Sequence, residues 1–277
     1  MHTPNDIRVN SWAELNEVAF QDSWDEDLGR FRTPFAFRGL SDSNYDLKTS
    51  LIRLGGPYDR LEGALLRNFK KYAHRDTSPG DSIWNWLAVA QHHGLPTRLL
   101  DWTNSAYVAM HFATISLEKI TTDGVIWCID VRKAQRWMPT RVREVLREQS
   151  ANFFQVEMLS RVASTLGEFD NLSPEPFVIF FDPPALDERI TNQFALFSMM
   201  SRPTAVLDQW LADKPELYHR IIIPAALKWE VRDKLDLINI TERVLFPGLD
   251  GLCGWLKRYY SPRHQNILPD AAQQTAD

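Results

Sequence analysis

Between residues 91 and 103 the chain reads Gln91-His92-His93-Gly94-Leu95-Pro96-Thr97-Arg98-Leu99-Leu100-Asp101-Trp102-Thr103, its densest run of groups able to hold a polar ligand or move a proton. Imidazole changes charge near neutral pH. A guanidinium offers five donors in a fork that suits phosphate or carboxylate. The run reads as a helix end, a tight turn and the start of the next helix, whose termini leave backbone groups to be satisfied. Gln91, His92, Arg98, Asp101 and Thr103 then line a polar site, with Asp101 receiving a ribose hydroxyl, orienting Arg98 or holding the loop. The same residues also fit an internally hydrogen-bonded corner without a ligand. His92 and His93 are neighbours and cannot share a helix face. The chain has no HExxH and no paired-Cys motif, so no metal is expected.

Three other stretches carry chemistry. Arg38 follows two aromatic residues and precedes Gly39, which permits either a special dihedral or a close backbone approach. Arg132, Lys133, Arg136, Arg141, Arg143 and Arg147 are opposed within their window by Glu144 alone. That run is either a solvated basic face or a patch for nucleic acid or phosphate. Arg189 and Gln193 would meet on a helix, whereas Arg189, Thr191 and Gln193 would align on a strand; spacing leaves both open. His111, among Ala and Met residues, reads as a core or boundary histidine. There is no GxSxG elbow, no Gly-rich phosphate loop, and neither Cys128 nor Cys253 neighbours a histidine.

The elements that must position these residues follow from periodicity. Phe35 and Phe37 share one face of a strand, with Arg38 on the other. Leu61, Leu65, Leu66, Phe69 and Tyr72 have helical spacing. A second helix, capped by Asp81 or Ser82, carries Ile83, Trp84, Leu87, Ala88 and Gln91 on one side and stops at Gly94 and Pro96. Thr103 is the expected cap of a third helix bearing Ala106, Ala109, Met110 and Ala113. Val125–Val131 alternates as a strand, and Thr140–Gln149 is a helix with Val142, Val145, Leu146 and Gln149 inward. Phe177–Phe181 and His219–Ile223 are strands stopped by proline. Ala225–Leu235 and Leu249–Tyr260 are helices. The whole predicts an α+β fold, a mixed or antiparallel sheet core with several packed helices and a helical C-terminal portion.

The chain has 277 residues, 44% of them hydrophobic and 24% charged, with ten Trp and fifteen Phe. That much apolar surface excludes a disordered chain and supports a core that needs no staple. A net charge of -5 argues against coating DNA or a membrane by bulk charge, while permitting a local basic cleft. Two cysteines without a CxxC pair read as buried small hydrophobes in a reducing compartment. The amino terminus lacks a signal-peptide pattern, and no run approaches the roughly 20 apolar residues that span a bilayer. The expectation is a cytoplasmic protein with no membrane partner.

Phe37-Arg38-Gly39, Leu51-Ile52-Arg53, Glu62, Phe69, the block Trp86 to Thr103, Ala109, Phe112-Ala113 and Asn192-Gln193-Phe194-Ala195-Leu196-Phe197-Ser198 closely resemble the FRG domain family. The resemblance covers about residues 30–200. It divides the chain into an N-terminal extension (1–29), the FRG core (30–200), a C-terminal strand and helices packed on the same domain (201–262) and a flexible tail (263–277). FRG domains are bacterial and phage-related modules, some associated with defence or toxin-like systems. Their motif order also looks like that of ADP-ribosyltransferases, which implies a fold of that kind. It further implies NAD as the cofactor consumed and a protein or nucleic-acid target.

On that resemblance Arg38 clamps a phosphate, with Gly39 beside it. Arg98 and Asp101 organise the pocket, His92 contacts the adenine or nicotinamide portion, and Gln91, Thr97 and Thr103 add cofactor contacts. Gln193 stands where such enzymes place a glutamate, and a neutral amide stabilises a developing cation less well than a carboxylate. The alternatives are a non-catalytic module that binds a nucleotide or nucleic acid through the 132–147 patch, and a hydrolase, nuclease or interaction protein.

Overall fold

Val125, Trp127 and Ile129 alternate with Ile126 and Cys128, and all five are buried, so this stretch is a strand covered on both faces. The computed structural model describes residues 5–74, 77 and 79–262; the expected tail at 263–277 lies outside the described residues. Nine strands are present there: β1 (Asp6–Arg8), β2 (Trp24–Asp25), β3 (Arg30–Phe31), β4 (Phe35–Leu40), β5 (Leu99–Thr103), β6 (Gly124–Asp130), β7 (Val178–Phe181), β8 (Ala195–Met200) and β9 (Tyr218–Ile223). Seven of them form one sheet in the order β1-β9-β6-β4-β5-β8-β7. β1 and β9 are parallel and every other pair in the sheet is antiparallel. β2 and β3 make a separate two-stranded ribbon. The mixed α+β expectation holds at that level.

Side-chain alternation assigns the faces. Ala36, Leu100, Trp102, Trp127, Ile129, Val178, Phe180, Leu196, Met200 and Ile222 form one continuous apolar face. The opposite face is covered in two separate parts. Helices Trp12–Phe20, Ala106–Thr114 and Ala225–Leu237 pack on Phe35, Phe37, Ile126, Cys128, Ile221 and Ile223. Helices Tyr58–Ala73, Ile83–His92, Thr140–Glu148 and Val156–Val162 pack around Leu99, Ile179, Phe181, Phe197 and Met199.

Several local expectations are corrected. Leu99–Thr103 is a strand, not the approach to a helix: Leu100 and Trp102 pack on one face, and Leu99, an exposed Asp101 and Thr103 lie on the other. Thr103 therefore caps nothing; Ser105 does, its Oγ accepting from the Val108 amide. Gln149 is exposed, because the helix ends at Glu148. Cys128 is buried as expected, but Cys253 is exposed on the last helix, Leu249–Tyr259. The 189–193 ambiguity resolves as a short helix, Glu188–Asn192, followed by β8.

The C-terminal helices are tied down by a buried ionic cluster. Arg258 donates to Glu242 and Asp236, and Arg232 donates to Glu242. Arg232 Nη1 also lies 2.7 Å from His111 Nδ1, which fixes that nitrogen as an acceptor. Burial, then the Arg232 charge, lowers the His111 pKa from 6.5 to about 3. Below pH 6.5 an unfolded histidine takes a proton that the folded one refuses. Stability is therefore full above that pH and lost as the pH falls towards 3. Against burial, which pushes it up, the hydrogen bond from Arg258 and the charge of Arg232 hold Glu242 at about 2, down from 4.5. Its contribution is present above 4.5 and lost as the pH falls through 2. Calorimetric melting between pH 7.5 and 3 should show the midpoint falling steadily below pH 6.5, and His111→Gln should flatten the upper part of that fall.

Candidate functional site

The sheet opens between β4 and β5. Phe37 pairs with Thr103, but Arg38, Gly39 and Leu40 have no partners on β5. Across the opening Arg38 Nη1 donates to the backbone carbonyl of Asp101, a side chain bridging what a ladder bond would otherwise close. Gly39 is the reason helix Ala106–Thr114 can lie so near: an added Cβ would stand 1.8 Å from the Ala109 carbonyl oxygen and 2.7 Å from the Ala113 nitrogen. Of the two roles open to this glycine, close backbone approach is the one the fold uses.

The opening leads into a cavity of about 630 Å³, within the range of small-molecule sites. Arg38, Gly39, Gln91, His92, Asp101, Thr103 and Gln193 all line it, so residues 155 positions apart in sequence are brought together. Among the described residues Asp101 is its one acidic lining residue, and Arg38 and Arg189 are its arginines. Tyr45, Phe112 and Phe197 add aromatic surface.

Gln91, Asp101, Thr103 and Gln193 are each held by a neighbour. Gln91 Nε2 donates to both Asp101 oxygens, at 3.1 and 3.0 Å. Thr97, itself buried, donates to Gln91 Oε1 and fixes the amide. Thr103 Oγ1 donates to the Gln193 carbonyl at 2.7 Å, and Gln193 Nε2 donates to the Leu245 carbonyl at 2.8 Å. Phe194 has a φ of 48°, in the left-handed region that a bulky residue seldom adopts, and it makes the turn from helix Glu188–Asn192 into β8. Gly94, with φ 79°, ends helix Ile83–His92; the Gly94 and Leu95 amides return to the Gln91 and Ala90 carbonyls. This turn leaves His92 and His93 at the cavity wall.

Arg38 is the least satisfied group. Its Nε is buried without a hydrogen-bond partner. Burial holds its pKa below the usual arginine value, against the charge of Asp101, with Arg53 adding to the fall. His92 Nε2 lies 2.6 Å from Asp187 Oδ2. Against the upward push of burial, the Ile190 amide and His92 hold Asp187 below the ordinary carboxylate range.

Two expected site residues lie elsewhere. Arg98 is 3% exposed and does not line the cavity. Its Nε donates to Glu62 Oε1 at 2.7 Å, Nη2 donates to Glu62 Oε2, and Nη1 donates to Asp170. The guanidinium of Arg98 is thus spent on two carboxylates, and burial is outweighed by them, so its pKa is raised. Thr97 acts through Gln91 instead of facing the cavity. The basic run is also remote: Arg132, Arg136, Arg141, Arg143 and Arg147 are exposed and none lines the cavity. Arg132 lies 3.6 Å from Asp25, while Arg136, Arg141, Arg143 and Arg147 form no ion pair among the described residues.

Asp187 and Tyr45 were not anticipated. Asp187 is readable as a helix cap, and its Oδ1 does accept from the Ile190 amide at 3.0 Å. Its partner, however, lies 95 positions away. Tyr45 sits in an irregular loop without any periodic signal. Among the described residues no group of three or more His, Cys, Asp or Glu could hold a metal ion, and no helix is long and apolar enough to cross a membrane.

No curated protein and no solved structure matches the chain. A family model does, over a shorter span than the motifs suggested: it takes in β4, β5 and the helices between and after them, and ends before Asp187, Arg189 and Gln193. Residues 33–121 of the chain match the FRG domain.

Proposed function

We propose that the cleft between β4 and β5 takes NAD as a substrate, and that the protein passes its ADP-ribose portion to a protein or nucleic-acid acceptor or to water. The observation that carries this reading is the buried, unpaired Nε of Arg38 in a nucleotide-sized cavity that holds one carboxylate. Arg38 and Arg189 suit the phosphates, and Tyr45 and Phe112 offer faces for the rings. Asp101 supplies the negative charge that Gln193 cannot. Held by Gln91, it can accept a ribose hydroxyl and stabilise positive charge growing at the anomeric carbon. Gln193 keeps its Oε1 for a second hydroxyl, since its amide nitrogen is occupied. Arg98 supports the fold and not the pocket. A defence or toxin-like setting is the context that the FRG resemblance implies.

Calorimetric titration with NAD, paired with an assay for released nicotinamide, tests this. Arg38→Ala should weaken NAD binding at least about tenfold, the loss of a charge-assisted contact. Asp101→Asn should leave binding nearly intact but lower turnover by about 10²- to 10³-fold, as loss of one electrostatic group at a developing charge does. A wild-type protein with no affinity for NAD would sink the reading.

A further inference from the structure

We propose that His92 and Asp187 form a dyad in which His92 takes the proton from the oxygen nucleophile and Asp187 positions its ring. The inference rests on the NAD reading above and adds the group that activates the acceptor. A carboxylate can only accept, so the 2.6 Å contact places a hydrogen on His92 Nε2. In the neutral ring Nδ1 is then the nitrogen with a free lone pair, and it makes no hydrogen bond among the described residues. Asp187 cannot swing freely, because its other oxygen caps helix Glu188–Asn192 through the Ile190 amide. The His92 side chain is 11% exposed and its ring packs edge-on against His93, with centroids 5.2 Å apart. A fixed ring with one nitrogen committed and one open, in the wall of the cavity that holds Arg38 and Asp101, is the arrangement a general base needs.

The bond changes balance. The bond between C1′ of the ribose and the nicotinamide nitrogen breaks, and its electron pair leaves with the nicotinamide, which becomes neutral. A lone pair of the acceptor hydroxyl, or of water, forms the new C1′–O bond. The proton of that oxygen passes to His92 Nδ1 and from there to solvent. Asp187 faces the imidazolium so formed and lowers its cost. The other titratable groups on the same cavity are Asp101 and Arg38 from the strands, His93 beside the ring, Arg189 from helix Glu188–Asn192 and Tyr45 from the loop after β4.

The experiment measures nicotinamide release from NAD by wild type, His92→Gln and Asp187→Asn from pH 5 to 9, with kcat and KM separated. NAD binding and melting temperature are followed alongside. His92→Gln should lower kcat by about 10²-fold or more, keep NAD affinity, and lose the acid limb that reports an essential unprotonated base. Asp187→Asn should cause a smaller fall in kcat and displace that limb, which a role confined to capping the helix would not do. If His92→Gln melts early, Asp187→Asn carries the test by the same shift. Wild-type turnover that His92→Gln matches, with its acid limb intact, overturns the dyad and leaves the NAD reading standing. A wild type that binds no NAD, or binds without cleaving it, overturns both.

Discussion

Replacing Arg98 with methionine is expected to lower the stability of the fold by about 3–5 kcal/mol, the usual result of removing one partner from a buried ion pair. The loss comes less from the missing attraction than from what stays behind. Glu62 is 4% exposed and would keep a buried carboxylate without its partner. Asp170, whose side chain is 28% exposed, can turn to water and suffers less. The double variant Arg98→Met with Glu62→Leu should therefore recover much of the loss, since a buried pair replaced whole by apolar groups often costs little. Urea unfolding of the three proteins measures this directly. Because Arg98 does not line the cavity, the folded fraction of Arg98→Met should bind NAD as the wild type does. A recovery no better than the single variant would show that the guanidinium is needed for more than neutralising Glu62.

Gly39→Ala should damage stability and ligand binding together. The new methyl would have to share space with the Ala109 carbonyl oxygen and the Ala113 nitrogen, both backbone atoms that no rotamer change can remove. Ordinary overpacking costs about 1–3 kcal/mol, and this case belongs at or above the top of that range because a helix must leave its strand. The helix that moves carries Phe112, and the strand that moves carries Arg38, so the cavity changes shape with it. A melting curve and an NAD titration on the same sample check the prediction: Gly39→Ala should bind poorly even well below its melting temperature, unlike Arg98→Met.

How much was legible in advance depends on how far each signal reaches along the chain. Phe35, Phe37 and the 125–131 alternation are local patterns, and each became a strand. Gly94 and Pro96 marked a helix end that is there. Leu99–Thr103 was missed because its alternation is only five residues long and the face away from Leu100 and Trp102 carries Asp101 and Thr103, which looked like a loop and a helix cap. The site was legible by residue type more than by position. Arg38, Gln91, His92, Asp101, Thr103 and Gln193 do meet. Arg98 was indistinguishable from them in sequence because its partners, Glu62 and Asp170, lie 36 and 72 positions away. A guanidinium shows its purpose only when its acceptors are known. His92 and Asp187 pose the same problem in reverse, for nothing near either residue announces the other.

The gap beside Phe37 and Thr103 gives the sheet a seam. To one side lie β1, β9, β6 and β4, to the other β5, β8 and β7, and each group is laced internally by continuous ladders. Within the sheet the described strands meet at that seam through the Phe37–Thr103 pairing and a guanidinium stitched to a carbonyl, above an apolar face that both plates share. A molecule wedged at that stitch grips both plates at once and competes for the arginine that joins them.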